Sequence, residues 1–183
     1  IFDVKCSQAL VDMIKKYKGE PVMWKTGHSL IKNKMAESDC KLGGEMSGHI
    51  FFADDYFGYD DAIYVAARLI QMLSKTDKTL SELKSVIPIY HSTPEIRLEA
   101  ESDEEKFKIA KLAVEYFTEN HNCNTIDGVR IQYENGWGLV RASNTQPVIV
   151  CRFEGDTPER MNEIKNIVLD KLQEFGTLNF SAH

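Results

Sequence analysis

Glu95-Ile96-Arg97-Leu98-Glu99-Ala100-Glu101-Ser102 is the stretch on which the fold turns. From Ile96 to Ala100 apolar residues take every second position and charged ones the others, which is the pattern of a strand with one buried face. Ser102 with Glu105 then opens a helix, because a serine hydroxyl and a carboxylate three residues on can satisfy the unpaired N–H groups of a first turn. Phe107, Ala110, Val114 and Phe117 follow at helical spacing. Farther on, Val129, Ile131 and Tyr133 alternate again, and Asn135-Gly136 signals a two-residue hairpin. Leu139 and Val140 lead into a polar loop, after which Val148 to Cys151 continue the sheet. Thr157-Pro158 starts a last helix bearing Met161, Ile164, Val168 and Leu172. The order is β-α-β-β-β-α, a self-contained α+β domain.

Upstream the pattern changes, with strand-like and helix-like segments alternating singly. Ser7 caps a helix with Leu10, Val11, Ile14 and Tyr17, stopped by Gly19. Pro21 to Trp24 reads as a short strand, and Gly27 turns it into a helix with Leu30, Ile31 and Met35. A glycine-bearing loop, Gly43 to His49, precedes the strand Ile50 to Ala53. Asp60 and Asp61 stand where a helix start favours negative charge, ahead of Ile63, Ala66, Ala67, Ile70 and Leu73. Thr79 with Glu82 fits a capping box. This alternation predicts an α/β layer. Ile89 to Pro94 reads as a linker, so two domains are expected, 1–89 and 90–183.

The 183 residues are 43% hydrophobic and 27% charged, which excludes disordered and collagen-like classes. The net charge of −6 argues against nucleic acid or an anionic membrane as partner, and the longest apolar runs fall far short of a membrane span. Cys6, Cys40, Cys123 and Cys151 form no C-x-x-C pair, so neither zinc nor a disulfide framework is expected, and the compartment reads as cytoplasmic. The first residue is Ile1, and Ile1-Phe2-Asp3-Val4 reads as the tail of a strand, so the chain is expected to begin inside a domain.

Arg141-Ala142-Ser143-Asn144-Thr145-Gln146-Pro147 gathers a guanidinium fork, two hydroxyls and amide donors between two strands, a set suited to a phosphate. An ordinary polar turn ended by proline reads the same way. Gly43 to His49 offers close backbone approach, with Glu45, Ser47 and His49 able to meet hydroxyls, which suits a sugar. A hairpin loop with a solvated glutamate is the plainer alternative. Lys5 after the first strand and His28 at a strand-to-helix turn stand where α/β layers collect ligands, as candidates for proton transfer or positioning. A solvated lysine and a helix-start histidine fit the spacing equally well. His91, His121 and His183 show no ligand spacing. There is no Walker A loop, no H-E-x-x-H and no G-x-S-x-G. The residues offer recognition groups without an evident reactive engine.

Lys25-Thr-Gly-His-Ser-Leu-Ile-Lys32, Gly44-Glu-Met-Ser-Gly-His49, Phe57-Gly-Tyr-Asp-Asp61 and Gly136-Trp-Gly-Leu-Val-Arg-Ala-Ser-Asn-Thr145 together resemble the α-D-phosphohexomutase superfamily, on its bacterial phosphomannomutase/phosphoglucomutase branch. Met46 resembles the mannose/glucose branch, whereas phosphoglucosamine mutases carry glutamine there. The resemblance implies a truncated α/β domain 3 for sugar recognition, then a TATA-binding-protein-like α+β domain 4 for phosphate. It implies an isomerase in which a phosphoserine on an N-terminal domain interconverts hexose 6-phosphate and hexose 1-phosphate through a hexose 1,6-bisphosphate. Mg2+ is held by an aspartate-rich loop of domain 2. Arg141, Ser143, Asn144 and Thr145 match the phosphate loop; Glu45 and Ser47 match the sugar loop that grips the 3- and 4-hydroxyls; Lys5, His28 and His49 match further site positions. The serine and metal loops of the family are missing here, so this chain is expected to be the C-terminal portion of a mutase, inactive alone and dependent on the N-terminal domains. A stand-alone sugar-phosphate-binding module is the alternative.

Overall fold

Four hydroxyl side chains start helices here. Ser7 accepts from the Ala9 N–H, Thr79 from Glu82 in a complete capping box, Ser102 from Glu105, and Thr157 from Arg160. The computed structural model describes residues 1–180, and it divides into two units, Ile1–Ile89 and Tyr90–His183. His183 lies outside the described residues.

The first unit runs β1 (Phe2–Asp3), α1 (Gln8–Lys16), β2 (Met23–Trp24), α2 (His28–Glu37), β3 (Leu42–Gly44), β4 (Ile50–Phe52), α3 (Ala62–Leu73) and α4 (Leu80–Lys84). Its sheet order is β2-β1-β3-β4, with β2 and β3 parallel to the central β1 and β4 antiparallel to β3. Parallel neighbours need crossover helices, which α1 and α2 supply. Ile1, Ile31, Met35 and Phe51 form its buried core. Gly43 and Gly44 belong to strand β3 rather than to the loop expected there. At Gly43 a Cβ would come within 2.4 Å of the Met35 sulfur, so glycine serves helix-to-strand packing at this position. In α3 the apolar residues recur as expected, yet Ile63 is 85% exposed and Ile70 67%.

The second unit runs β5 (His91–Ser92), β6 (Ile96–Ala100), α5 (Asp103–Asn120), β7 (Asn122–Asn124), β8 (Val129–Tyr133), β9 (Gly136–Ala142), β10 (Val148–Gly155), α6 (Pro158–Phe175) and β11 (Leu178–Phe180). The sheet is antiparallel, in the order β11-β6-β10-β9-β8-β7, with β5 also on β10. Ile109, Ala113 and Phe117 of α5 and Ile164, Val168 and Leu172 of α6 bury against Val129, Ile131, Val140, Ile149, Cys151 and Phe153. The expected linker is therefore partly a strand: His91 and Ser92 pair with Gly155 and Glu154, and the Thr93 N–H donates to the Phe153 carbonyl. Two residues ended by Pro94 are too few to show a period. The hairpin loop is Glu134-Asn135, with Asn135 left-handed at φ 60 and Gly136 already paired to Tyr133, one residue earlier than Asn-Gly suggests. The buried stripe of α5 is also displaced: Phe107 is 57% exposed, and Lys106, at 2%, is buried in its place.

Candidate functional site

Because β1, β2 and β3 are parallel, their carboxyl ends lie along one edge of the first sheet, the edge at which α/β folds gather ligand groups. Past β1 comes Lys5, past β2 the turn Lys25-Thr26-Gly27-His28, and past β3 the turn Glu45 to His49. Gly27 has φ 137 and Gly48 φ 96, both in the region that glycine tolerates without strain. The Glu45 N–H donates to the His49 carbonyl at 2.8 Å and closes the second turn. One Glu45 carboxylate oxygen accepts the Gly27 N–H at 2.8 Å, which ties the two turns together. The other oxygen makes no hydrogen bond among the described residues and is available to a hydroxyl donor. His28 and His49 are both exposed, with ring centroids 6.4 Å apart. Ser47 is exposed in the same turn.

Lys5 is buried beside Asp3: its N–H donates to Asp3 Oδ1 at 3.0 Å, and its ammonium is 4.0 Å from Oδ2. His49 Nδ1 lies 2.6 Å from Asp60 Oδ2. An ionised carboxylate only accepts, so Nδ1 carries the proton and Nε2 of a neutral ring presents a lone pair. This corrects the helix-start reading of Asp60. Asp61 alone caps α3, accepting from the Ile63 and Tyr64 N–H groups, while the Tyr56 hydroxyl and those amides hold its pKa below the usual carboxylate value. Asp54 meets Arg68 through two bonds of 2.8 and 2.6 Å, and that guanidinium brings its pKa down to about 2.

In the second unit, β9 delivers Arg141, and the loop 143–147 returns to β10. The Arg141 Nε donates to Asp127 Oδ2 at 3.1 Å, which holds a buried guanidinium fork at the foot of the loop. Asp127 is brought there by Gly128, at φ 74, where a Cβ would sit 2.3 Å from the Val140 carbonyl oxygen. Ser143 is buried, with its N–H on the Val148 carbonyl, and its Oγ accepts from the Thr145 N–H at 3.3 Å. Asn144 and Thr145 are exposed. Beneath the loop lies the Lys106 ammonium, within 3.0 Å of two loop carbonyls.

Sequence reasoning missed Asp60, Asp127 and Lys106, each of which acts on a loop residue from a distant position. Asp127 and Lys106 carried no signal in the sequence, since each reaches its loop only through the fold, whereas Asp60 stands in the Phe57–Asp61 motif. Among the described residues no group of three or more His, Cys, Asp or Glu could hold a metal ion. The resemblance places Mg2+ on domain 2 and not on Asp54, Asp60 or Asp61, which here meet Arg68, His49 and the start of α3.

Residues 1–90 match the family model described as phosphoglucomutase/phosphomannomutase, alpha/beta/alpha domain III, and residues 95–171 match phosphoglucomutase/phosphomannomutase, C-terminal domain. A phosphomannomutase/phosphoglucomutase of Pseudomonas aeruginosa is 49% identical over 94% of this chain and 37% of its own length. A phosphoglucomutase of Neisseria meningitidis is 43% identical over 91% of this chain and 36% of its own. The crystal structure of a phosphoglucomutase/phosphomannomutase family protein from Burkholderia thailandensis superposes with a TM-score of 0.84 at 37% identity, covering 97% of this chain and 38% of that one. The chain thus spans about 37% of the length of such curated relatives.

Proposed function

The chain belongs to the phosphoglucomutase/phosphomannomutase family of α-D-phosphohexomutases, and we propose that it forms the substrate-recognition portion of an isomerase interconverting hexose 6-phosphates and hexose 1-phosphates. The observation that carries this reading is the Glu45–Gly27 bond, which unites two sequence-distant turns and leaves carboxylate, hydroxyl and imidazole groups together at one sheet edge. Glu45 and Ser47 take the 3- and 4-hydroxyls of a hexose phosphate or hexose 1,6-bisphosphate. A sugar turned end for end offers that pair in exchanged positions, so one loop serves both orientations. The 2-hydroxyl, which separates mannose from glucose, is left unread, and both sugars are accepted.

In the second unit Arg141, Ser143, Asn144 and Thr145 hold the phosphate that does not react. This is remote binding energy that orients the reacting end. Lys5 and His28 are candidates for proton transfer or positioning, and His49, oriented by Asp60, is a third. The phosphoserine and the Mg2+-holding loop belong to the part of the family's length that this chain does not span. The metal, when bound there, neutralises charge on the transferring group. The compartment proposed is cytoplasmic; among the described residues no helix is long and apolar enough to cross a membrane.

A coupled assay with glucose 1-phosphate tests the division of labour. The 183-residue chain alone gives no turnover, and a family-length protein containing it does, with the activity lost on Glu45→Ala. Turnover by the chain alone, or full activity of the variant, would overturn the proposal.

A further inference from the structure

Lys106 is a charged residue in the first turn of α5, and only 2% of it is exposed. Burying an ammonium is costly unless every donor finds an acceptor. Lys106 Nζ finds Ser143 O at 2.9 Å, Gln146 O at 3.0 Å and Asp103 Oδ1 at 2.7 Å, so its three hydrogens are matched. Two of these acceptors are backbone carbonyls at either end of the 143–146 loop, 37 and 40 residues away in sequence. The loop closes on itself through the Ser143 N–H on the Val148 carbonyl and the Val148 N–H on the Gln146 carbonyl, and the cation adds two bonds to it from α5.

Peptide geometry makes this consequential. In a trans peptide the C=O and the following N–H point in opposite directions, and no cis peptide occurs among the described residues. Turning the Ser143 carbonyl down onto Lys106 therefore turns the Asn144 N–H away from it, to the side on which Asn144 and Thr145 are exposed. The Ser143 Oγ bond to the Thr145 N–H sets the next turn of the loop. The ammonium is paired with Asp103 at 2.7 Å, so what favours an anion in front is the aim of the backbone donors rather than a bare charge behind them.

We infer that Lys106 is a positioning residue for the phosphate loop: it never touches the ligand, but it aims the Asn144 amide and fixes loop residues 143–146 before an anion arrives. The inference rests on the reading of that loop as an anion site, and the experiment separates the two. The 183-residue chain is titrated with inorganic phosphate, following backbone amides by NMR, for the parent, Lys106→Met, Asp103→Asn and Arg141→Ala.

Arg141→Ala weakens phosphate binding, because it removes a direct ligand. Lys106→Met weakens it at least tenfold and lowers the heteronuclear NOE of Asn144 and Thr145, while the amides of β8 to β10 keep their shifts. Asp103→Asn keeps the ammonium on both carbonyls and changes affinity less than threefold. If Arg141→Ala binds phosphate as the parent does, the loop is not an anion site and both ideas fall. If Arg141→Ala weakens binding but Lys106→Met leaves affinity and loop order unchanged, the positioning role alone falls. Should Lys106→Met fail to fold, the parent decides. A slowly exchanging Lys106 ammonium signal with loop NOE values equal to those of β9 supports the inference. A fast-exchanging ammonium or a mobile loop overturns it.

Discussion

The Glu45 carboxylate accepts the Gly27 N–H at 2.8 Å across 18 residues of chain, and Gly27 is the N-cap of a helix that has no side-chain cap of its own. Glu45, proposed above to meet a sugar hydroxyl, thus also anchors the start of α2, where negative charge is favoured. Charge-assisted bonds of this kind contribute about 1.5–3 kcal/mol when buried, and less where, as here, the group is partly exposed. Glu45→Ala is expected to destabilise the first unit by about 1–2 kcal/mol in urea unfolding followed by Trp24 fluorescence, and Glu45→Gln by less than half of that, since the amide oxygen still accepts. Equal stability of all three proteins would remove the anchoring role.

Gly128 and Gly48 form a controlled pair. Both have positive φ, but a Cβ at Gly128 meets the Val140 oxygen at 2.3 Å and Arg141 Cα at 2.7 Å, whereas at Gly48 nothing lies within 4 Å. Gly48→Ala therefore costs only the left-handed penalty, about 1–2 kcal/mol. Gly128→Ala adds a backbone clash and is expected to cost more than about 3 kcal/mol, with displacement of Asp127 from Arg141. Unfolding of each variant, read at Trp24 for the first unit and Trp137 for the second, gives the comparison. Similar costs would mean that the close approach at Gly128 is not required.

The Asp54–Arg68 pair sets an acid limit. Asp54 titrates at about 2 in the folded chain against 3.8 for the unfolded group, so the unfolded state takes up its proton first as pH falls. Its contribution is present above pH 3.8 and is lost on acidification toward pH 2. The stability difference between the parent and Asp54→Asn should be constant from pH 7 to about 4 and vanish near pH 2. A difference that persists unchanged at pH 2 would contradict it.

Tyr133 gives the alkaline counterpart. Its hydroxyl is buried without a hydrogen-bond partner among the described residues, and burial raises its pKa to about 12 from 10.0. The unfolded chain therefore loses this proton first, so stability falls between pH 10 and 12. Tyr133→Phe should be as stable as the parent or up to about 1 kcal/mol more stable at pH 7, and its unfolding midpoint should fall less above pH 10. A variant that tracks the parent through that range would show that Tyr133 does not titrate there.

Much of this fold was legible because period and punctuation agree. Glu95 to Glu101 alternates cleanly, and Ser7, Thr79, Ser102 and Thr157 each mark a helix start that the structure realises. What escaped has physical causes. His91-Ser92, Asn122 to Asn124 and Leu178 to Phe180 are strands of two or three residues, too short to carry a period and defined by the partner they join. Gly43 and Gly44 look like loop and form strand, because glycine there answers a packing demand from Met35. The buried stripe of α5 begins at Lys106 rather than at Phe107, because a lysine stem can serve as core when its head group is satisfied. The residues of the two candidate loops stand out by composition, whereas Asp60, Asp127 and Lys106 reach them only through tertiary structure.

The central proposal has two parts: in the first unit the turns at Gly27 and Glu45 meet sugar hydroxyls, and in the second unit the loop at Arg141 takes a phosphate. Backbone NMR titration of the 183-residue chain with glucose 1-phosphate, up to about 10 mM to capture millimolar binding, tests it most directly. The account predicts saturable shifts confined to residues near 25–28, 45–49 and 141–146, with the last group abolished by Arg141→Ala and the first two groups by Glu45→Ala. Shifts that do not saturate, or that cluster away from these loops and survive both substitutions, would contradict it.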